Sequence, residues 1–127
     1  MTALGYVEHA AVRVKDLQWH VDFFAQVFGM TVWKKSQPGD KLTQIWLTGG
    51  VQLIYSPDFK GAADGQLGHL GLMVNDMEKV LEKAHALGAK ELPQGRNWFA
   101  LPEGIAIEVI EAVPGAVEEV LKINPRG

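Results

Sequence analysis

The chain has 127 residues and a mass of 13.9 kDa, with 47% hydrophobic and 21% charged residues and no cysteine. That is one ordinary domain with enough chain to bury its own core, and the missing thiols exclude disulfides, thiolate zinc sites, iron–sulfur clusters and a cysteine nucleophile. The net charge is −3 and the basic residues are scattered, so no basic stripe points to nucleic acid. No apolar run reaches the ~18 residues of a membrane span, and the first residues lack the build of a signal peptide; a soluble cytoplasmic protein is expected.

In chain order, Val7–Lys15 reads as a strand that ends at Asp16, a natural N-cap. Leu17, Val21, Phe24 and Phe28 then recur at helical spacing, and Gly29 supplies a stop. Three strands are predicted next, over 31–36, 42–48 and 51–56, with turn chemistry at Gln37-Pro-Gly-Asp40 and Gly49-Gly50. Residues 58–68 are small, polar and Gly-rich, and read as a linker. After a strand from His69, Asp76 caps a second helix with Val80, Leu81, Ala84 and Leu87 as its stripe and Gly88 as its end. Strands are predicted at 89–92, 97–101 and 105–111, broken by Pro93-Gln-Gly95 and Pro102-Glu-Gly104. A short helix is expected near 117–123.

The two halves repeat. His9-Ala-Ala-Val-Arg-Val-Lys-Asp-Leu17 aligns with His69-Leu-Gly-Leu-Met-Val-Asn-Asp-Met77 at a shift of 60, and Val51–Ser56 aligns with Ile107–Ala112 at a shift of 56. The plan is βαβββ twice, in one domain: module one at 5–57, the linker at 58–68, module two at 69–112 and a tail at 113–127.

Strand alternation selects the side chains of interest. Ala10, Val12 and Val14 form the face for the first helix, leaving His9, Ala11 and Arg13 opposite; Leu70, Leu72 and Val74 leave His69 opposite. On the last strands Gln52 and Glu108 fall on the face that helices do not cover. A glutamate within Ile-Ala-Ile-Glu-Val-Ile is costly to bury unless paired or bound to metal. His9, Gln52, His69 and Glu108 are therefore four metal-competent groups, two per copy. Trp46 shares parity with Gln44 and points to a wall of the same face, whereas core packing is the expectation for Trp33, Trp98 and Phe99. His20, His85 and Lys34-Lys35 read as surface groups.

Paired βαβββ modules, with a histidine near the start of each and Gln or Glu on the fourth strand, resemble the vicinal oxygen chelate superfamily. It includes glyoxalase I, methylmalonyl-CoA epimerase, fosfomycin-resistance thiol transferases, extradiol dioxygenases and bleomycin-binding proteins. The segments that carry the resemblance are 7–16, 23–30, 68–76 and 107–111. It implies an α+β fold in which the two modules, related by a pseudo-twofold, form a curved, partly open mixed sheet with helices outside. It implies metal ligation by His9, Gln52, His69 and Glu108, in the order of methylmalonyl-CoA epimerase. Bacterial glyoxalase I usually has Glu at the Gln52 position, and the epimerase has a second carboxylate base where this chain carries Gln44.

The implied cofactor is a divalent ion (Mn, Fe, Co, Ni, Zn or Mg), since ligation without sulfur suits them all. The implied activity is that of a metal-dependent glyoxalase-like lyase or isomerase, acting on a small oxygen-chelating metabolite through an enediolate. Glu108 is its expected base, and Arg13, Gln44, Trp46 and Arg96 are its expected substrate contacts. Two alternatives stand beside it: an extradiol-type Fe(II) dioxygenase, and a small-ligand-binding or resistance protein without turnover. Binding members typically lack the ligands, which favours an enzyme. The resemblance also implies a homodimer.

Overall fold

In the computed structural model, which describes residues 3–28, 30–60, 65–102 and 105–123, an aspartate sets each strand-to-helix junction. β1 (Gly5–Val14) runs up to Asp16, whose carboxylate accepts the backbone N–H of Trp19 at 3.0 Å as α1 (Leu17–Phe28) begins. β5 (Leu67–Val74) runs up to Asp76, which accepts from the N–H of Lys79 at 3.1 Å as α2 (Met77–Ala86) begins. Each cap satisfies a donor that the helix itself leaves unpaired. After α1 come β2 (Val32–Ser36), β3 (Gln44–Leu47) and β4 (Val51–Tyr55); after α2 come β6 (Lys90–Leu92), β7 (Gly95–Ala100) and β8 (Ala106–Glu111). A final α3 (Ala116–Leu121) closes the described chain. The fold is α+β, with the βαβββ plan present twice, as the sequence predicts.

The chain divides into two compact units, His9–His69 and a second made of Met1–Glu8 with Leu70–Gly127. In the first, strands run in the order β2-β3-β4-β1, antiparallel except for the parallel β4–β1 pair. Gly49 and Gly50 turn the β3–β4 hairpin at φ 98 and 102, a left-handed conformation that β-carbons resist. Val14, Ile45, Leu47 and Leu53 are buried beneath Leu17, Val21 and Phe24 of α1. In the second unit the order is β6-β7-β8-β5, again antiparallel except for the parallel β8–β5 pair. Val74, Phe99, Ile107 and Val109 pack there with Leu81 of α2, and Val80 and Ala84 join them. Gly88, at φ 105, ends α2 as expected.

Some expectations change. Phe28 and Leu87, the last members of their stripes, are 62% and 72% exposed, Phe28 as the last residue of α1 and Leu87 as the residue that follows α2. β5 starts at Leu67, and Phe59 is buried in a segment read as a polar linker. β7 starts at Gly95, inside a segment assigned to a turn. Gly29, Glu103 with Gly104, part of the linker (61–64) and the end of the tail (124–127) lie outside the described residues.

Candidate metal centre

In the first unit His9 and His69 are 4% and 9% exposed, and their Nε2 atoms stand 3.1 Å apart with the ring planes at 87°. β1 places His9 on the face opposite Val12 and Val14, which pack under α1. Gln52 of β4 lies opposite Ala11 in the parallel register, two residues beyond His9 and on the same face. It is 3% exposed, so its amide needs partners inside the protein. Its Nε2 donates to Gln44 Oε1 at 2.6 Å, whereas its Oε1 is buried with no hydrogen-bond partner among the described residues.

An orphaned buried carbonyl costs about 1–3 kcal/mol, and its setting says what would relieve it. Two imidazole nitrogens and an amide oxygen suit a borderline or hard divalent cation. Nitrogens bound about 2.1 Å from such an ion, at right angles, lie about 3 Å apart. The histidine pair has that spacing, so these residues fit the metal their chemistry implies.

In the second unit Glu108 sits on β8, opposite Gly71 of β5 and Trp98 of β7. Ile107 and Val109 on either side are buried in the core with α2, which turns Glu108 to the other face. The two registers match: Gln52 faces Ala11 and Glu108 faces Gly71, each two residues past a histidine. Ala11 and Gly71 are the smallest side chains available, so neither fills the space beside its histidine.

The expected substrate contacts fall in different places. Trp46 lies opposite Gln52 across the β3–β4 pair, with the Lys34 ammonium 4.8 Å from its ring centroid. Lys34 and Lys35 are both exposed, as expected of surface charge, and the β2–β3 register sets Lys34 opposite Trp46. Arg13 lies opposite Ile54, and its guanidinium donates to the Gly65 carbonyl. It lines a cavity of about 440 Å³ with Ser56, Pro57, Asp58 and Phe59.

Arg96 instead bonds Glu78 in the first turn of α2 at 2.8 Å. That hydrogen bond, followed by the charge of Glu78, raises its pKa above the usual value. Phe99 is in the core, but Trp33 is 59% exposed and Trp98 half-buried. His20 bonds the Asp16 carbonyl of its own helix at 2.6 Å, and His85 bonds the Ala89 carbonyl at 3.0 Å.

Residues 6–108 match the family model of the Glyoxalase/Bleomycin resistance protein/Dioxygenase superfamily, and the chain belongs to that superfamily. It is 22% identical over 121 residues to the uncharacterized protein YwbC of Bacillus subtilis (strain 168), covering 83% of this chain and 96% of that one. Among solved structures, the 2,3-dioxygenase LapB of Pseudomonas sp. KL28 aligns with a TM-score of 0.62 at 17% identity. That match covers 84% of this chain but only 42% of LapB. Methylmalonyl-CoA epimerase of Mycobacterium tuberculosis aligns at 0.58 and 15% identity, covering 92% and 91% of the two chains. The Streptomyces coelicolor epimerase, in complex with 2-nitronate-propionyl-CoA, aligns at 0.60 and 17%, covering 88% and 96%. At these identities the structures establish the fold. No helix among the described residues is long and apolar enough to cross a membrane.

Proposed function

We propose that this chain is a divalent-metal-dependent lyase or isomerase of the glyoxalase type, acting on a small metabolite that offers two nearby oxygens. His9, Gln52, His69 and Glu108 would hold the ion. The observation that carries the reading is the buried, unsatisfied Oε1 of Gln52 on the same sheet face as His9, whose Nε2 stands 3.1 Å from that of His69. His9, His69 and Glu108 each offer one ligand atom, and the matching registers of Gln52 and Glu108 support four ligands drawn evenly from the two modules.

When bound, the ion supplies Lewis acidity that stabilises the enediolate left by loss of a proton beside a carbonyl. Glu108 takes that proton from carbon and returns it to the neighbouring one, as a single carboxylate base. Arg13 holds a carboxylate or phosphate of the substrate, exchanging its Gly65 carbonyl for a charged acceptor. Trp46 walls the face beside Gln52 and keeps water from the reacting carbons. A soluble, cytoplasmic homodimer is the form in which this enzyme is proposed to work.

The test begins with metal analysis of protein purified without chelators, where about one divalent ion per chain is expected. Deuterium exchange at carbons next to carbonyls, across a panel of hydroxycarbonyl compounds, then reads the proposed chemistry. Oxygen uptake with catechols after Fe(II) loading, without such exchange, would replace this reading by a ring-cleaving dioxygenase. Tight ligand binding without metal would replace it by a binding protein.

A further inference from the structure

A glutamine makes a poor metal ligand unless its amide is turned the right way, because its two ends have nearly the same shape and opposite hydrogen-bonding character. In this chain something turns it. Gln52 lies on β4 between β3, which carries Gln44, and β1, which carries His9. Its Nε2 donates to Gln44 Oε1 at 2.6 Å, toward β3. The carbonyl, at the other end of the same amide, is left buried and unsatisfied. With Gln52 only 3% exposed, no bulk water competes for either end.

We propose that Gln44 is a positioning residue that locks the Gln52 amide with its oxygen offered to a divalent cation; this rests on the metal-site reading given above. Gln44 acts through Gln52 and touches no reacting atom in this role. The acceptor at position 44 sets which end of Gln52 faces β3, and so makes position 52 an oxygen donor. Partners of this kind, behind a ligand, typically govern about 10- to 100-fold in metal affinity.

The experiment measures Mn(II) affinity by electron paramagnetic resonance titration of the full chain, with thermal melting of the metal-free protein as the control for folding. Gln44→Leu, which removes the acceptor, is expected to weaken Mn(II) by about 10-fold or more. Gln44→Glu keeps an acceptor and adds a negative charge near the ion, and is expected to bind Mn(II) at least as tightly as the parent. In a Gln52→Glu background both ends of the ligand are oxygens and orientation no longer matters, so the effect of Gln44→Leu should shrink to within about twofold, the scatter of uncoupled substitutions.

An unchanged affinity in Gln44→Leu, an equal loss in both backgrounds, or a loss that Gln44→Glu does not restore would overturn the proposal. Failure of the unaltered protein to bind Mn(II) would strike the metal reading itself, and the proposal with it, before any variant is compared.

Discussion

His9 and His69 lie 60 residues apart in sequence, and their Nε2 atoms meet at 3.1 Å in a buried edge-to-face pair. Each copy of the repeat supplies one of them, from a strand that ends at a capping aspartate. In the metal-free protein one ring donates and the other accepts in a single N–H···N hydrogen bond. A bound cation gives both nitrogens the same favourable partner. Saturating metal is therefore expected to stabilise the native protein by about 2.7 kcal/mol at a free concentration of 100 Kd. Melting curves with and without metal check this. The increment should vanish in His9→Ala and in His69→Ala.

Gln52 carries a second test. Its buried Oε1 has no hydrogen-bond partner among the described residues, so the metal-free protein bears a desolvation cost for keeping it. Gln52→Leu removes that carbonyl at similar volume. Because it also removes the Nε2 donor to Gln44 Oε1, the stability of the metal-free protein is expected to change by no more than about 1 kcal/mol, while tight metal binding is abolished. Chemical denaturation paired with metal titration separates the two effects. An unchanged metal affinity in Gln52→Leu would contradict the assignment of Oε1 as a donor held ready for a cation.

The helix starts allow a comparison between the two copies. Asp16 and Asp76 hold equivalent N–H groups at 3.0 and 3.1 Å. Replacing either by alanine is expected to cost about 1 kcal/mol, read as a lower denaturation midpoint with an unchanged slope. The core sets a larger scale. Leu53 is fully buried under α1, and Leu53→Ala is expected to cost about 2–5 kcal/mol. Val27→Ala, at a position 56% exposed on the same helix, should change stability by no more than about 0.5 kcal/mol.

Much of this was readable from the residues because local rules and the repeat agree. Asp16 and Asp76 mark helix starts, alternation separates Val12 and Val14 from His9, and the same logic separates Ile107 and Val109 from Glu108. What escaped depends on what lies opposite. A 3.6-residue stripe carries Phe28 and Leu87 as surely as Leu17 and Leu81, but only the sheet beneath decides where burial ends. Arg96 looked available because Glu78, 18 positions away, becomes its partner only through the fold. The orientation of the Gln52 amide depends on Gln44 of a neighbouring strand, and no periodicity records which end of a side chain is turned inward.

Glu108 offers the sharpest test of the chemistry. Its register opposite Gly71 parallels that of Gln52 opposite Ala11, so an amide already occupies the equivalent position in the first copy. Glu108→Gln would make the two modules alike as donors while removing the carboxylate proposed to take the proton. Metal is expected to remain bound, since an amide oxygen still reaches the ion. Deuterium exchange at the carbon beside a carbonyl is expected to fall by about 10²- to 10⁴-fold, the usual contribution of a positioned base. Glu108→Ala should lose both properties. Full exchange in the metal-loaded glutamine variant would remove Glu108 as the base, leaving it a ligand only.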